Sequence, residues 1–308
     1  MLSEVLGSKQ IKEDPESLQI WGKDWTNGFV VAPSAIVFPE SIDQIQDLVS
    51  YARSHHLKLV PSGGRTGLSG GAVASQGEVV VSFDRMNKIL DFSPQDRVVT
   101  CQPGVITAQL QDFARQQGLF YPVDFASSGS SQIGGNVSTN AGGIKVIRYG
   151  LTRDWIAGLK VVTGTGALLD CNAGLVKNAT GYDFRHLLIG SEGTLGLLAE
   201  IDVQLTAAPE PQTVMVLGVP RVGDLLSILE AFNARLQPSA FEFFSDVALE
   251  KVRAHRDLPA PLARPEAFYA LVEFDASANE AAEAAFGACM KSGWVSDGVV
   301  SQSEAQAA

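Results

Sequence analysis

The sequence has few cysteines, few histidines and little positive charge, and each shortage excludes a class of protein. Its three cysteines, Cys101, Cys171 and Cys289, lie far apart without a CxxC pair, which argues against a disulfide framework and indicates reduced thiols. Lys and Arg number 23 against 34 Asp and Glu, and the net charge of −11 argues against nucleic acid or an anionic membrane as partner. This balance is typical of a cytoplasmic protein.

Long apolar runs are also missing. No stretch reaches the roughly 18 apolar residues of a membrane span, and the acidic start, MLSEVLGSKQIKEDPES, lacks the apolar core of a signal peptide. The four histidines form no HxxxH or His-x-Glu cluster, so the sequence predicts no metal site. What it does have is a globular composition, 45% hydrophobic and 19% charged, over 308 residues, a length typical of about two domains.

Helix and strand patterns alternate along the chain and predict an α+β fold. The stretch FPESIDQIQDLVSYARSHH predicts a helix that begins with a capping box of Ser41 and Gln44, and ITAQLQDFARQQGL predicts another. GEVVVSFDRMNKILDF predicts a strand with a turn or short hairpin partner, and AGLKVVTGTGALLDC predicts a hairpin. The prolines of TAAPEPQ predict a linker over residues 206–212, after which strands and helices alternate again.

The first glycine stretch is PSGGRTGLSGG, residues 61–71, in which five of eleven residues are glycine. Because glycine adopts positive φ and leaves backbone N–H groups open to a ligand, this stretch suits a diphosphate. It is not a P-loop, which ends in Gly-Lys-Ser/Thr, and it is not a Rossmann fingerprint, because AVASQGEVVVSF after it does not predict a helix. A surface loop without a ligand is the alternative.

Two further stretches extend this pattern. The second glycine stretch, residues 127–143, consists almost entirely of Gly, Ser, Thr, Asn and Gln and predicts a loop whose short polar groups suit a diphosphate, a ribityl chain or a ring edge. In the third glycine stretch, residues 190–201, glycines interrupt a strand pattern, which indicates either close approach of a ligand or a β-bulge. Together the first two stretches favour one long, hydroxylated and phosphorylated ligand.

The three stretches, in this order, resemble the FAD-binding domain of the vanillyl-alcohol-oxidase superfamily, also called the p-cresol-methylhydroxylase type. PSGGRTGLSGG, PVDFASSGSSQIGGNVSTNAGG and TGYDFRHLLIGSEGTLGLLAEI carry the resemblance, which extends over about residues 32–205. YGLTRDW and NATGYDFRHLLIGSEGTLG are most similar to bacterial FAD-linked D-2-hydroxyacid dehydrogenases. The resemblance implies an oxidoreductase that acts on the CH–OH group of D-2-hydroxyglutarate. D-lactate or glycolate as substrate, or an FAD-binding protein without turnover, are the alternatives.

The resemblance also implies a set of cofactor-binding residues: Pro61, Ser62, Gly63, Gly64, Arg65, Thr66, Gly67, Leu68, Pro122, Ser128, Gly129, Ser130, Ile133, Gly134, Gly135, Asn136, Ser138, Thr139, Asn140, Gly142, Gly143, Glu192, Gly196, Leu197 and Leu198. Residues 62–68 would wrap the diphosphate through backbone N–H groups. We expect FAD to be bound non-covalently, because Arg65 stands where some members carry the histidine that bonds the flavin, and the second stretch has serines where others carry a cysteine.

On the same resemblance we expect an N-terminal helical segment over residues 1–31, an FAD-binding domain of two α+β subdomains over 32–207, and part of an α+β substrate domain, the FAD-linked oxidase C-terminal domain, over 208–308. In members of the family, the catalytic base, the substrate-binding arginines and a His/Glu metal site come from a later part of the substrate domain. No catalytic residue is therefore assigned, zinc is expected only in a longer chain, and the substrate domain is expected to be truncated.

The sequence also supports expectations about binding partners and about the positions of the four histidines. The resemblance implies a small 2-hydroxyacid and an unidentified electron acceptor, and the apolar surface of an incomplete domain favours a homodimer. His55 and His56 are expected to cap the end of a helix, where a positive charge favours the helix dipole. His186 is expected to be a satisfied core or cofactor-edge residue, and His255 to lie in solvent.

Overall fold

In the computed structural model, which describes residues 2–172, 175 and 177–303, the chain divides into two compact units. The first unit comprises the chain up to Ala141 together with Leu151–Ala207. The second comprises Gly142–Gly150 together with the chain from Ala208 onward. Both units combine strands with helices, which confirms the predicted α+β class.

The described part of the chain forms strands and helices from the first residues to residue 300. The strands are β1 Ile11–Lys12, β2 Ala35–Val37, β3 Leu59–Ser62, β4 Val79–Ser82, β5 Ile89–Ser93, β6 Val98–Cys101, β7 Leu119–Phe120, β8 Ile156–Thr163, β9 Leu168–Cys171, β10 Gly196–Gln204, β11 Thr206–Ala207, β12 Gln212–Val219, β13 Ala240–Ser245, β14 Phe268–Asp275 and β15 Asp297–Val300. The α-helices are α1 Pro15–Trp21, α2 Ile42–Ser54, α3 Thr107–Gln116, α4 Ile133–Thr139, α5 Val146–Tyr149, α6 Arg185–Leu188, α7 Leu225–Asn233, α8 Asp246–Arg253 and α9 Asn279–Lys291. None of these helices is long and apolar enough to cross a lipid bilayer.

The described part of the first unit contains two larger sheets and a two-stranded pairing of β7 with β11. In the smaller one, of order β1-β2-β4-β3, β4 pairs in parallel with both β2 and β3. The larger one, of order β5-β6-β10-β8-β9, is antiparallel, and its β8–β9 pair is the predicted hairpin. The suggested pairing within GEVVVSFDRMNKILDF is wrong, because β4 and β5 lie in different sheets and β5 pairs with β6 instead. Residues 1–31 contribute β1 to the smaller sheet as well as helix α1.

Helix α2 forms where its apolar periodicity predicts it. Ser41 is the N-cap and accepts a hydrogen bond from the Gln44 backbone N–H at 3.2 Å. The capping box is only half confirmed, because the Gln44 side chain accepts from the Glu40 N–H instead of returning to Ser41. The helix buries its predicted face, with Ile45 and Leu48 completely inaccessible. Each such side chain contributes roughly 1.5–3 kcal/mol of hydrophobic stabilisation.

The sequence predicts a loop for the whole second glycine stretch. This prediction is wrong for its middle, which forms helix α4. Tertiary packing outweighs the poor helix propensity of its glycines and of Ser138 and Thr139. Ile133 and Val137, one helical turn apart, are fully buried in the core between α3 and the larger sheet. This spacing of two apolar residues was the sequence signal for the helix.

The second unit is built on one antiparallel sheet of order β13-β14-β12-β15. Helices α7 and α9 bury apolar side chains in the core formed with this sheet. The segment Gly142–Gly150, which contains α5, is attached to β14 by ion pairs of Lys145 with Glu273 at 2.5 Å and of Arg148 with Asp275 at 2.8 Å. Of the predicted linker, only residues 208–211 lie outside β11 and β12.

Candidate functional site

The first and second glycine stretches lie against each other in the first unit. A Cβ atom on Gly64 would stand 2.2 Å from the carbonyl oxygen of Ser130, and one on Gly63 would stand 3.6 Å from the Cα of Gly135. Only a residue without a side chain allows the backbone of Gly64 to approach Ser130 this closely. The glycines that the sequence had marked therefore bring two segments, about 65 residues apart, into direct contact.

The third glycine stretch joins the same cluster. A Cβ on Gly193 would stand 2.2 Å from Cγ of Pro61, so this glycine lies directly against the start of the first stretch. The backbone N–H of Glu192 donates to the carbonyl of Ser138 at 2.8 Å, which links the third stretch to helix α4. A Cβ on Gly71 would stand 2.6 Å from the Glu192 carboxylate. All three predicted stretches thus converge in one place within the first unit.

Each stretch also contains one non-glycine residue in the left-handed region of φ. These are Arg65 at φ 59°, Asn140 at φ 48° and Glu192 at φ 51°. Such residues cost free energy and persist where surrounding contacts hold them, often at functional sites. Asn140 is the C-cap of α4, and its side-chain oxygen accepts the Arg153 N–H at 3.0 Å. The strain coincides with the stretches that the sequence marks as ligand-binding.

Two buried polar atoms at this convergence have no hydrogen-bond partner among the described residues. One is the hydroxyl of Ser62, a fully buried residue at the end of β3, and the other is Oε1 of Gln132, the N-cap of α4. A buried polar group without a partner costs roughly 1–3 kcal/mol. The Ser62 hydroxyl can donate, whereas the Gln132 oxygen only accepts. The site therefore suits a ligand that offers both an acceptor and a donor.

Three predicted positions on α4 face other parts of the protein and leave no room for a ligand at the side-chain position. Ile133 is fully buried in the core, and a Cβ on Gly134 would collide with Pro103 at 2.5 Å. The Asn136 side-chain amide donates to Thr107 Oγ1 at 2.7 Å. By contrast, a Cβ on Gly135 would meet no atom within 4 Å, so this position on α4 is open. Ligand contacts by the first three residues would have to run through the backbone.

The remaining predicted residues divide between the units. Most lie in the first unit: Pro122, Ser128, Gly129 and Ser130 precede α4, Ser138 and Thr139 end it, and Gly196, Leu197 and Leu198 begin β10. Thr66, Gly67 and Leu68 belong to the first stretch, with Leu68 72% exposed. Gly142 and Gly143 belong to the second unit. The other predicted site residues all belong to the first unit.

Aspartates that the sequence analysis missed hold the first stretch in place. The carboxylate of Asp24, a buried residue, accepts the backbone N–H of Gly70 at 2.8 Å and that of Thr26 at 2.9 Å. The Trp25 N–H donates to the carbonyl of Gly67 at 3.0 Å. Asp84 lies 3.5 Å from the Arg65 guanidinium. No motif marks these aspartates, because they act on residues far away in sequence.

An open cavity of about 200 Å³ borders the third stretch within the first unit. Its lining is mostly apolar, with one cationic side chain, and comprises Val49, Ala52, Arg53, Leu57, Leu59, Val162, Thr163, Gly164, Gly193, Thr194, Leu195, Gly196 and Leu197. The Arg53 guanidinium is already engaged, since it donates to the carbonyl of Thr165 at 3.0 Å. A ligand that runs along the third stretch therefore has apolar space beside it.

Among the described residues, the histidines and cysteines belong to no group of three or more His, Cys, Asp or Glu side chains that could hold a metal ion. His55 is the C-cap of α2 and its Nδ1 lies 2.9 Å from the Tyr51 carbonyl, which confirms a capping position. Of the two alternatives for His186, the core position is wrong, because its side chain is 45% exposed and lies 3.5 Å from Asp183; the cofactor-edge position stays a prediction. All three cysteines are free and buried, as predicted, and burial raises the pKa of each thiol, so none is a ready nucleophile.

Comparison with known proteins agrees with this geometry. Residues 33–172 match the family described as FAD binding domain, and residues 208–308 match FAD linked oxidases, C-terminal domain. The chain is 59% identical, over 96% of its length, to a D-2-hydroxyglutarate dehydrogenase of Stutzerimonas stutzeri (strain A1501), and 52% identical, over its full length, to one of Xanthomonas citri pv. viticola. It spans 65% and 66% of the length of these two relatives.

Solved structures share the fold. An alkyldihydroxyacetonephosphate synthase matches with a TM-score of 0.79 at 19% identity, covering 99% of this chain and 61% of that one. A p-cresol methylhydroxylase with substrate bound matches with a TM-score of 0.76 at 16% identity, covering 97% of this chain and 64% of that one. These likenesses confirm the predicted fold of the p-cresol-methylhydroxylase type.

Proposed function

Because the chain belongs to the FAD-dependent oxidoreductases with a p-cresol-methylhydroxylase-type FAD-binding domain, we propose that it binds FAD without a covalent bond and oxidises a D-2-hydroxyacid. D-2-hydroxyglutarate is the substrate that we favour, since relatives at 59% and 52% identity carry that name. The observation that carries the proposal is the convergence of the three glycine stretches in the first unit. They come together through contacts that only glycine permits at Gly64 and Gly193.

The chemistry of the unpaired polar atoms fits FAD. A diphosphate oxygen can accept from the buried Ser62 hydroxyl, and a ribose or ribityl hydroxyl can donate to Oε1 of Gln132. The orientation of the Gln132 amide is fixed, because its Nε2 donates to a carboxylate, that of Asp84, at 2.8 Å. FAD carries both a diphosphate, whose oxygens accept hydrogen bonds, and hydroxyl groups, which donate them.

The residues of the site have defined tasks in this proposal. Backbone N–H groups of the first stretch bind the diphosphate, and Arg65 adds a positive charge next to it. Arg65 also supports non-covalent binding, since a guanidinium does not form the flavin linkage that histidine or cysteine forms. FAD, when bound, supplies the acceptor for the hydride that leaves the substrate carbon. We assign no described residue to removal of the hydroxyl proton.

We also propose a cellular compartment, an oligomeric state and partners for this protein. Three free, buried cysteines and an acidic composition favour the reducing cytoplasm, and the apolar side chains exposed on the second unit, such as Leu226 and Val247, favour a homodimer. The substrate's carboxylates require cationic partners, for which arginine is the common choice. The electron acceptor is a separate molecule.

Binding and turnover test the proposal separately. Titration of the purified chain with FAD should show saturable quenching of flavin fluorescence, and acid precipitation should release all the yellow colour into the supernatant. Bound flavin should then be bleached by D-2-hydroxyglutarate in preference to D-lactate and glycolate, and a dye acceptor should restore the colour. Failure to bind FAD would overturn the whole proposal. Binding without bleaching by any of the three acids would leave an FAD-binding protein without turnover, and preferential bleaching by D-lactate or glycolate would change the substrate.

A further inference from the structure

The carboxylate of Asp84 collects donors from three distant parts of the first unit. The indole N–H of Trp21, at the end of α1, donates to Oδ2 at 2.7 Å. The amide of Gln132, the N-cap of α4, donates to Oδ1 at 2.8 Å. The guanidinium of Arg65, in the first glycine stretch, lies 3.5 Å from the same oxygen. A carboxylate has about four lone-pair positions, so one side chain can accept both hydrogen bonds and also form the ion pair with Arg65.

These contacts hold the strained residue of the first stretch. Arg65 has φ 59°, and its Nη1 also donates to the carbonyl of Gly63 at 2.9 Å. Its guanidinium lies 5.8 Å from the ring centroid of Trp21, within cation–π range. Asp84 is therefore both the charge partner of Arg65 and the acceptor that orients the Trp21 ring. In the second stretch, the same carboxylate sets which side-chain atom of Gln132 remains free.

We infer that Asp84 is a positioning residue of the cofactor site, whose carboxylate joins the first and second glycine stretches and so pre-organises them for the ligand. The inference rests on the proposed FAD binding. Asp84 does not itself bind the cofactor; it acts through Arg65 and Gln132. Pre-organisation raises affinity because the cost of ordering the binding groups is met before the ligand arrives.

The inference is testable because loss of the Asp84 carboxylate should weaken FAD binding, whereas a purely electrostatic role of Asp84 predicts the opposite change. Neutralising Asp84 removes a negative charge beside a site for an anionic diphosphate, so a purely electrostatic role predicts tighter binding. The pair is about one quarter exposed on each side chain, 24% for Arg65 and 27% for Asp84, so solvent screens its Coulomb energy. The lost donor–acceptor geometry should therefore dominate, and binding should weaken.

The experiment measures FAD affinity and melting temperature of Asp84→Asn. Asparagine has nearly the same shape, but it offers one acceptor oxygen where Trp21 and Gln132 both donate. We expect the dissociation constant for FAD to rise about tenfold, and Asp84→Glu, which keeps the carboxylate, to recover part of the affinity. Unchanged or tighter binding by Asp84→Asn overturns the inference. If Asp84→Asn does not fold, Trp21→Phe, which removes the indole N–H donor together with part of the ring, should weaken binding, and wild-type affinity in that variant overturns the inference.

A matched control and a ligand-free measurement separate this inference from the proposed function. Asp47→Asn makes the same change of charge at an exposed position of α2 and should leave FAD affinity unchanged. Without ligand, Asp84→Asn should accelerate backbone hydrogen exchange in residues 63–67 and 128–132 only. If the wild type binds no FAD, the proposed function fails, but this exchange measurement still decides whether Asp84 orders the two stretches. Unchanged exchange in both stretches overturns the inference.

Discussion

A single methyl group on Gly64 tests the convergence of the first two glycine stretches. In Gly64→Ala the new Cβ would lie 2.2 Å from the Ser130 carbonyl oxygen and 2.8 Å from the Cα of Ser131. Ordinary contact begins at 3.4 Å, so the two backbones must separate by about 1.2 Å. The neighbours are backbone atoms in a packed loop and cannot rotate away as a side chain would.

The expected cost follows from this geometry. Overpacking of a well-packed site costs roughly 1–3 kcal/mol, which lowers Tm by about 2–4 °C for each kcal/mol in a unit of this size. FAD affinity should fall as well, because the clash separates the groups that bind one ligand. Differential scanning fluorimetry and an FAD titration measure the two effects.

Gly223→Ala is the matched control, since a Cβ at that position of the second unit would also meet no atom within 4 Å. It should keep the wild-type Tm and FAD affinity. A Gly64→Ala variant with the Tm of the wild type would show that the two stretches do not touch as described, and the candidate site would lose its foundation.

Three more substitutions examine the site from other directions. Gly135→Ala meets no protein atom within 4 Å, so it should weaken FAD binding in a titration while Tm stays unchanged. Asp24→Asn replaces an acceptor of the Gly70 N–H with a donor and should lower the urea-unfolding free energy by about 1–3 kcal/mol. Hydrogen bonding to Arg185 lowers the pKa of Asp183 below its ordinary 3.8, so the ionised form favours the folded state. The stabilisation by Asp183 is therefore present above pH 3.8 and lost as the pH falls through the lower folded-state pKa, and urea unfolding of wild type and Asp183→Asn should converge there.

The sequence was sufficient where local rules decide the structure. Helix α2 follows its cap and its apolar period, and helix α3 forms within ITAQLQDFARQQGL as its pattern predicts. The failure of the Rossmann pattern is also confirmed, because strand β4, not a helix, is the next regular element after that stretch. In each of these places the residues that form an element also carry its signal.

Prediction from sequence failed where distant contacts decide. The glycines and hydroxyl residues of helix α4 disfavour helix and predict a loop. Gly134 is nevertheless needed there, because only glycine allows the close packing on Pro103. The pairing of β5 with β6 instead of β4 depends on which sheet each strand joins, and no local pattern records that. The glycine content identifies where a side chain would not fit, but it does not identify which atoms the glycine backbone contacts.

A glycine-rich segment cannot maintain a binding conformation by itself, because it has the most conformational entropy to lose and few side chains to hold it. The structure supplies the missing constraints from outside each stretch. Asp24 holds the first stretch at Gly70, Asp84 holds it at Arg65, and Ser138 holds the third at Glu192. The glycines therefore determine where a ligand can approach, while other residues, among them Asp24 and Asp84 from outside all three stretches, determine whether the site is ordered when the ligand arrives. Substitutions of these aspartates should alter FAD affinity as strongly as substitutions of the glycines themselves.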